Sequence, residues 1–385
     1  MSSAKQDFIR RMPEAGYDLR RRRSIWQAIH IDPWLLLFLS IIIFGGLTIL
    51  YSASEADTGM LKRQIAYLSI AFLAMLAVAQ VNLDYLMRWS LLFYIGGLLL
   101  LVAVMLFGVG AKGAQRWLSL GAFRFQPSEI MKLAMPIAIA AYLSSGSLPP
   151  NFKSVIWSLV LIALPTILII RQPDLGTSIL VTTSGLIVLF YAGIRWSYLV
   201  TALVLLSASI WPMWHYVLHD YQRQRVITLF NPEVDKLGSG WNIIQSKTAI
   251  GSGGFYGKGW LQGTQSHLDF LPESHTDFII AVLAEEFGFA GFLALLSLYL
   301  LVIFRGLSIA VRAQDSFRRL LAGSITLTFF VYIFVNLSMV SGLLPVVGVP
   351  LPLVSLGGTS LVTLMIGFGL LMAISTEPRK LSITR

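Results

Sequence analysis

Long apolar segments alternate with short polar ones along nearly the whole chain. Ten such segments, each about 17 to 25 residues long, follow a polar and basic stretch at the N-terminus. A helix needs about twenty apolar residues to cross a bilayer, so the pattern predicts an all-α polytopic membrane protein with ten transmembrane helices. The segments lie near residues 33–51, 64–81, 88–108, 127–145, 154–170, 177–193, 197–217, 278–304, 320–341 and 351–374.

One polar interval is much longer than the rest. Residues 218–277 separate the seventh and eighth apolar segments, and we expect them to form a long loop outside the membrane. An even number of helices places both termini on the same side of the membrane. The first and last apolar segments divide the chain into a basic tail of residues 1–32, a transmembrane domain of residues 33–375 and a second tail of residues 376–385.

Basic residues set the predicted orientation of these helices. Most of the 29 Lys and Arg residues fall on the inner side when the N-terminus lies in the cytoplasm, as the positive-inside rule requires. Both tails are then cytoplasmic, and the long loop faces outward. In a bacterium we expect the protein in the inner (cytoplasmic) membrane, with this loop on the side where no ATP is available.

The composition agrees with a membrane protein and narrows its chemistry. Hydrophobic residues make up 56% of the chain and charged residues 12%, about half the charge of a soluble domain. There are no cysteines, which excludes disulfides, a thiolate nucleophile and a cysteine metal site. The formal net charge of +10 is explained by the basic cytoplasmic loops of membrane proteins, so no nucleic-acid partner is expected.

Ionisable residues cluster where the long loop enters the eighth apolar segment. Glu273, His275 and Asp277 lie there, and Glu285 and Glu286 follow about two turns further along the predicted helix. An isolated Asp at a helix start is usually an N-cap. An ionisable residue at membrane depth is costly to keep, however, and several acids on one span indicate a polar cavity. We therefore favour a functional role for Asp277.

Two other outward segments carry charged residues that have a structural and a functional interpretation. Glu129 and Lys132 are three residues apart and can form an ion pair on one helical face; alternatively, Arg116 and Lys132 offer cations to an anionic ligand at the outer membrane surface. Asp174 can cap the helix that follows it, or Arg171 and Asp174 can line the same outward cavity as Lys132.

Two glycine-rich segments also leave two interpretations open. Residues 249–259 do not match a Walker phosphate-binding loop, because Ser252 and Gly259 occupy two of its required positions. We expect a flexible loop there, with a backbone nest for phosphate as the alternative. Residues 342–358 combine Pro and Gly at membrane depth, which fits either a cavity wall of irregular backbone or close packing of helices.

Together these motifs resemble the SEDS family of shape, elongation, division and sporulation proteins, and most closely its RodA-like branch. The resemblance covers residues 33–375. Leu356 departs from the C-terminal signature, which usually has Tyr, Ser or Ala at that position. The matching stretches are Gln126 to Glu129 with Lys132, Gln172 to Gly176, Pro272 to Phe278 with Ala284 to Glu286, and the signature from Asn336 to Gly358.

The resemblance implies a peptidoglycan glycosyltransferase that polymerises lipid II at the outer face of the cytoplasmic membrane during cell elongation and shape maintenance. It implies that the acid of the His-Thr-Asp motif, Asp277, is the essential catalytic residue. It also implies a partner, a class B penicillin-binding protein with transpeptidase activity, together with other membrane proteins of the elongation complex.

We expect Asp277 to act as general base on the 4-hydroxyl of the acceptor sugar, with inversion at the donor carbon and loss of its polyprenyl diphosphate. The sequence requires no cofactor and shows no dedicated metal-ligand cluster, although a divalent cation such as Mg²⁺ between carboxylate and diphosphate is a further hypothesis. The residues expected to bind substrate or diphosphate are Arg116, Glu129, Lys132, Arg171, Asp174, Arg223, Lys247 and His275.

Two other classes of function compete with this interpretation. A flippase or transporter of the lipid-linked cell-wall precursor also fits intramembrane charges and broken helices. A transporter needs charged groups accessible from both faces, whereas the predicted polar residues are concentrated on the outer one. A scaffold without catalytic activity would leave Asp277 dispensable.

Overall fold

Long helices account for most of the chain. The computed structural model describes residues 25–111, 114–120, 123–217, 220–231, 233, 239–264 and 273–377, so the predicted tails lie largely outside the described residues. The helices are α1 (Ile25–Ala28), α2 (Pro33–Ala53), α3 (Thr58–Ala79), α4 (Leu83–Phe107), α5 (Pro127–Ser144), α6 (Phe152–Arg171), α7 (Leu175–Tyr191), α8 (Trp196–Pro212), α9 (Asp220–Phe230), α10 (Ser239–Ser252), α11 (Ile279–Arg312), α12 (Ser316–Val340) and α13 (Thr359–Thr376). A π-helical turn, Met213–Val217, extends α8.

A helix overlaps each of the ten predicted apolar segments. Within the described residues, eight of these helices are long and apolar enough to cross a membrane. The other two are α5, which carries Glu129 and Lys132, and α7, which has 17 residues. The chain is therefore a multi-pass membrane protein, while the count of ten transmembrane helices stays a prediction.

Asp or Asn side chains begin six of the long helices. Each accepts a hydrogen bond from a backbone N–H of the first turn, which has no partner within the helix. This explains why short polar turns separate consecutive apolar segments. The capping residues are Asp32, Asp57, Asn82, Asn151, Asp174 and Asp315.

Three helices form the centre of the bundle. Most side chains of α5, α12 and α13 are buried; α12 packs against α5, α7 and α11, and α13 packs against α3. Gly369 of α13 lies against the backbone of Met75 on α3, where any Cβ would overlap the carbonyl oxygen. Small residues that allow such close approach are typical of membrane helix packing.

A three-stranded antiparallel sheet lies between α4 and α5. It consists of β1 (Val109–Ala111), β2 (Ala114–Leu120) and β3 (Phe123–Phe125), in that order. The all-α prediction holds for the membrane helices but missed this sheet, because strands of 3, 7 and 3 residues are too short for a sustained alternation of polar and apolar positions. The sheet holds β2 near the start of α5.

Where the structure describes it, the predicted long loop of residues 218–277 contains the helices α9 and α10. Residues 265–272 of this interval lie outside the described residues. α10 packs against α11, and its Ser246 Oγ donates a hydrogen bond of 2.9 Å to the carbonyl of Val340 at the end of α12. The described part of this interval is therefore a folded insertion whose α10 rests on the membrane helices.

The glycine-rich segment 249–259 lies against a kink in α11. Gly288 breaks that helix, with φ of 66° and ψ of −164°. The N–H groups of Lys258 and Gly259 donate to carbonyls of α11 before the kink, at 3.0 and 2.9 Å. Two N–H groups of α11 after the kink donate back to the segment, both at 3.0 Å. The expectation of a flexible loop is wrong, and the two donating N–H groups are not open to a phosphate.

The last membrane helix begins later than predicted, at Thr359 instead of residue 351. Residues 341–358 contain three prolines, which cannot continue a helix. Gly348 adds a left-handed residue at φ of 75°. The result is a stretch of irregular backbone that folds back over the bundle beside the turn preceding α11.

Candidate active site

A cavity of about 300 Å³ opens beside the turn that precedes α11. Side chains of β2, the first turns of α5 and α7, α12 and the irregular stretch before α13 form its wall. Two larger cavities, of about 780 and 550 Å³, have mostly apolar walls. The smaller cavity brings together five of the predicted site residues: Arg116, Glu129, Lys132, Asp174 and Asp277.

Asp277 lies in the turn of residues 273–278, one position before the N-cap of α11. The N-cap residue is Phe278, so Asp277 is not the N-cap of this helix. The Asp277 carboxylate faces Gly348, where an added Cβ would lie 3.5 Å from Oδ2. The carboxylate therefore lies in van der Waals range of the wall segment at Gly348.

Glu129 and Lys132 form a buried ion pair on the first turns of α5. Each residue is 6% exposed, and Lys132 Nζ lies 2.6 Å from Glu129 Oε1. Lys132 Nζ also lies 5.0 Å from the ring centre of Tyr332, in cation–π geometry. The predicted ion pair is confirmed, and because both residues line the cavity, the structural and functional interpretations apply to the same pair.

The second carboxylate oxygen of Glu129, Oε2, is buried and has no hydrogen-bond partner among the described residues. Burying a charge is costly, and a single ion pair only partly offsets that cost. A charged pair at this depth is therefore poorly explained by stability alone. It is better explained by a polar ligand that enters the cavity and completes the contacts of the pair.

Arg116 of β2 holds the turn between α6 and α7. Its Nε donates to the carbonyl of Gln172 at 3.4 Å, and its Nη2 donates to the carbonyl of Pro173. Its Nη1 lies 3.9 Å from Asp174 Oδ1. The guanidinium thus has a structural task, yet its side chain is 35% exposed and lines the cavity, so part of its charge reaches the cavity.

Asp174 combines the two roles that the sequence left open. Its Oδ1 accepts a hydrogen bond of 3.2 Å from Thr177 N and so caps α7. Its Oδ2 accepts one of 2.8 Å from Gln126 Nε2, on the residue just before α5. Because Asp174 is only 5% exposed and lines the cavity, its carboxylate connects the starts of α5 and α7 at the cavity wall.

Four predicted site residues do not line this cavity. Arg171 is exposed at the end of α6, so the prediction that it shares the cavity with Lys132 is wrong. His275 lies two positions before Asp277 and is half-buried, but its side chain is not part of the cavity wall. Arg223 Nη2 donates to the carbonyl of His215, and Lys247 lies against Gly342 at the end of α12. Roles of these residues in substrate binding stay predictions.

Glu285 and Glu286 occupy a different place from the one expected. Glu285 is fully buried, and its Oε1 lies 2.7 Å from Lys258 Nζ and accepts a hydrogen bond from Thr264 N. Glu286 accepts a hydrogen bond from Ser52 Oγ of α2. Neither lines the cavity of Asp277, so the expectation that these acids share it is wrong. They hold the loop segment and α2 against α11.

Among the described residues, no group of three His, Asp or Glu side chains is placed to hold a metal ion. The cavity wall instead carries the cations Lys132 and Arg116, which lie beside Glu129 and Asp174, together with the carboxylates of Glu273 and Asp277. It thus offers two cations to a charged ligand and carboxylates that can accept a proton from that ligand.

A family model of cell cycle proteins named for FtsW, RodA and SpoVE matches residues 28–380. The chain belongs to the FtsW/RodA/SpoVE family. This membership confirms the resemblance to SEDS proteins that the sequence motifs indicated.

Relatives within the FtsW/RodA/SpoVE family match almost the whole chain. It is 52% identical to the peptidoglycan glycosyltransferase MrdB of Escherichia coli (strain K12) over 365 residues, 95% of this chain and 99% of that protein. It is 32% identical to the peptidoglycan glycosyltransferase RodA of Treponema pallidum (strain Nichols), covering 90% of this chain and 98% of that one.

Solved structures agree with this membership. The crystal structure of the rod shape determining protein RodA of Thermus thermophilus has a TM-score of 0.68 at 27% identity and covers 89% of this chain and 96% of that one. A chain from a peptidoglycan synthase complex that coordinates polymerization and crosslinking has a TM-score of 0.78 at 30% identity, over 89% of this chain and 97% of that one.

Several cavity residues of this FtsW/RodA/SpoVE protein were not singled out from the sequence. Tyr332 is buried in α12 and lies over Lys132, but a Tyr within an apolar helix normally indicates core packing. Gln126 bonds to Asp174, and its place in the motif that carries the resemblance was a usable signal. Thr177 also lines the cavity and carried no separate signal. Glu273, which the sequence placed in the ionisable cluster around Asp277, lines the cavity as well.

Proposed function

We propose that this protein is a peptidoglycan glycosyltransferase that polymerises lipid II into β-1,4 glycan strands at the outer face of the bacterial cytoplasmic membrane. The observation that carries the proposal is the single cavity where Asp277 meets Lys132 and Arg116. A sugar transfer with a diphosphate leaving group needs a base and a cationic site side by side. Relatives named peptidoglycan glycosyltransferases support the same assignment.

In the proposed reaction, Asp277 is the general base. Its carboxylate accepts the proton of the acceptor sugar 4-hydroxyl as that oxygen attacks the anomeric carbon of the donor. The bond from that carbon to the polyprenyl diphosphate breaks, and the diphosphate leaves with the electron pair. A single displacement inverts the configuration, so an α-linked donor gives a β-1,4 product.

The leaving diphosphate gains negative charge as the bond breaks, and cations that are already in place lower the barrier for this step. Lys132 is the stronger candidate because it is 6% exposed, and charge interactions are larger away from water. Arg116 stands nearer to solvent, with a side chain that is 35% exposed. We assign Lys132 to the diphosphate directly and Arg116 to the cavity entrance.

A divalent cation such as Mg²⁺ is part of the proposal as a neutralising charge on the diphosphate. Mg²⁺ often uses one or two carboxylates together with substrate phosphates. Asp277 and Glu273 are four positions apart in the turn before α11, and both line the cavity. They are the residues that would hold such an ion.

The orientation that we propose places both termini in the cytoplasm. His30 Nδ1 lies 3.0 Å from Thr376 Oγ1, so the two ends of the described chain share one face of the bundle. The turn of Asp277 lies near the other face, since Ser274 Oγ contacts the carbonyl of Ala53 at the far end of α2. A basic N-terminal segment favours the cytoplasm, which leaves the cavity on the outer side.

The proposed partner is a class B penicillin-binding protein with transpeptidase activity, within a larger elongation complex. Its support is the likeness to a chain from a peptidoglycan synthase complex that couples polymerization to crosslinking. Glycan strands made by this protein would be crosslinked by that partner.

Polymerisation of labelled lipid II by the purified protein, with and without the partner, tests the proposal. Asp277→Ala should slow strand formation by at least about 10²-fold, the contribution typical of a general base. Asp57→Ala is the matched control, because Asp57 is an exposed helix cap outside the cavity wall, and it should keep the wild-type rate.

Chelation of divalent cations in the same assay tests the Mg²⁺ proposal.

Two outcomes would contradict this assignment. Equal strand formation by the wild type and the Asp277→Ala variant would remove Asp277 from the chemistry. If the wild type forms no strands even with the partner, the enzyme proposal fails, and a flipping assay in liposomes would then test transport of the same lipid.

A further inference from the structure

Three consecutive backbone carbonyls before α11 are held by the C-terminal part of the chain. The carbonyl of His275 accepts a hydrogen bond of 3.0 Å from Leu356 N. The carbonyl of Thr276 accepts one of 2.5 Å from Ser355 Oγ. The carbonyl of Asp277 accepts one of 2.9 Å from Asn336 Nδ2.

Asn336 of α12 bonds with one amide group to two neighbouring segments of the cavity wall. Its side chain is fully buried. Besides the bond to Asp277, Nδ2 donates a hydrogen bond of 2.7 Å to the carbonyl of Val349, a residue of the cavity wall. A side-chain amide nitrogen has two hydrogens to donate, and both are used here. The turn of Asp277 and the neighbouring wall segment at Val349 are therefore held together.

Ser355 performs a similar task from the irregular stretch before α13. It is 4% exposed. Its hydroxyl donates to Thr276 and accepts a hydrogen bond of 2.9 Å from Leu351 N. The bond to Leu351 closes the turn that leads into the cavity wall. The same oxygen thus shapes that wall and holds the turn that carries Asp277.

These bonds matter because the backbone around Asp277 has no regular secondary structure to hold it. Residues 273–278 form turns, and α11 begins only at Ile279 without a side-chain cap at Phe278. Without the bonds from Asn336 and Ser355, the turn would lose two of the contacts that fix its position against α12 and the cavity wall. The Asp277 carboxylate would move with it.

We infer that Asn336 and Ser355 are positioning residues for glycosyl transfer. They fix the main chain of Asp277 so that its carboxylate stays at the cavity wall, at the distance from Lys132 that the reaction requires. This inference rests on the proposed function, because it assumes that Asp277 is the base. Small displacements of a reacting group lower the rate steeply, and a shift of about 1 Å can cost about 10²-fold.

The test uses the full chain with its transpeptidase partner, and it measures kcat and KM for lipid II in strand formation. Ser355→Ala removes one oxygen atom and should lower kcat by roughly 10- to 100-fold. KM should change little, since the cationic residues of the cavity are untouched. Asn336→Leu should have a similar effect, because Asn336 Oδ1 has no partner among the described residues and only the two donated bonds are lost.

Ser324→Ala is the matched control. Ser324 is fully buried on α12, and its hydroxyl donates to the carbonyl of Ser184 at 3.1 Å. It lies 12 positions before Asn336, about 18 Å along the helix, and is not part of the cavity wall. The same loss of a buried hydroxyl should therefore leave kcat at the wild-type value. Rates are expressed per folded molecule, so that a lower yield does not imitate an effect on kcat.

The outcomes separate the inference from the proposed function. If Asp277→Ala is inactive while Ser355→Ala and Asn336→Leu keep the wild-type kcat, the positioning role is wrong and the base assignment stands. A higher KM with unchanged kcat would also overturn the positioning role. Activity of Asp277→Ala at the wild-type level would instead overturn the proposed function itself.

Discussion

The more deeply buried of the two cations in the candidate active-site cavity is the ammonium group of Lys132. Its single carboxylate partner, Glu129, lies 2.6 Å away, and the ring of Tyr332 covers it at 5.0 Å. These contacts keep Lys132 charged and hold it still. A cation that is fixed before the substrate arrives needs no rearrangement when the diphosphate leaves, which is the condition for effective electrostatic stabilisation.

Removing only one member of this pair should cost stability as well as activity. Lys132→Met leaves the buried Glu129 carboxylate without its partner, and such losses typically destabilise by about 3 to 5 kcal/mol. The double variant with Glu129→Gln removes both charges and should regain part of that stability, with a coupling of roughly 1 to 3 kcal/mol. Thermal unfolding of the purified variants measures this coupling.

Strand formation by the same variants separates structure from chemistry. If Lys132 binds the diphosphate, the double variant should be stable yet inactive. Recovery of activity together with stability would show that the charge of Lys132 serves folding alone.

At the level of single residues, the sequence indicated the site through charges within apolar surroundings. Asp277 and Lys132 stand out in this way, because ionisable groups at membrane depth need a reason. The sequence could not show which of Arg116 and Arg171 lines the cavity. β2 brings Arg116 there, and a strand of 7 residues is too short to be predicted from the sequence pattern. Tyr332 did not stand out, because its neighbours along the chain are apolar, and Asn336 was named only as the start of the signature that carries the family resemblance.

Among the helices, α11 has the most irregular geometry. Gly288 breaks it, and the segment 249–259 supplies hydrogen-bond partners for the backbone groups that the break leaves open. The side-chain pair of Lys258 and Glu285, at 2.7 Å, strengthens this attachment. The segment therefore ties the folded insertion to the helix that follows Asp277.

Gly288→Ala should loosen this attachment. The positive φ of Gly288 strains any other residue, and an added Cβ would collide with the backbone of Gly257 and Phe255. We expect faster hydrogen exchange at the amides of Lys258 and Gly259, measured by mass spectrometry of the purified protein. Gly96→Ala in α4, where a Cβ meets nothing within 4 Å, is the control and should leave exchange unchanged. Equal exchange in both variants would show that the kink tolerates a side chain.

The sequence predicted the positions of the helices better than the structure of the irregular segments between them. Helix positions followed from apolar length, and helix starts such as Asp174 followed from capping chemistry. The late start of α13 at Thr359 did not follow from the pattern. Residues 351–358 are largely apolar, but Pro352 among them cannot continue a helix. The pairing of segment 249–259 with α11 is a contact between distant parts of the chain, which no local pattern encodes.

Across the whole molecule, charges fasten the bundle at the face opposite the cavity. Asp32 accepts hydrogen bonds from Arg305 Nη2 at 2.6 Å and from Ser375 Oγ at 2.5 Å. Arg318 forms ion pairs with Asp84, Asp315 and Glu377 on the same side. The first long helix, the end of α11 and the last helix are thus joined in one polar layer that the apolar pattern alone does not reveal.

The charge of Asp32 should stabilise this layer down to low pH. Burial by itself would raise the pKa of Asp32, but hydrogen bonds from Arg305, Ser375 and Leu35 N outweigh it and hold the pKa below its usual value. Stability from a lowered Asp pKa is complete above the ordinary value of about 3.9 and is lost only as pH falls through the lower, folded-state pKa. Asp32→Asn keeps the capping oxygen and removes the charge, at a cost of about 2 kcal/mol.

Thermal unfolding from pH 8 down to pH 3 measures this contribution. The midpoint of Asp32→Asn should lie roughly 2 to 4 °C below that of the wild type, with a constant difference between pH 8 and 5 that narrows only below about pH 4. Asp57→Asn alters an exposed cap that has no ion pair with any described residue, so it should stay close to the wild type at every pH. A difference that narrows already near pH 6 would mean that another titrating group, and not Asp32, fastens the two ends of the bundle.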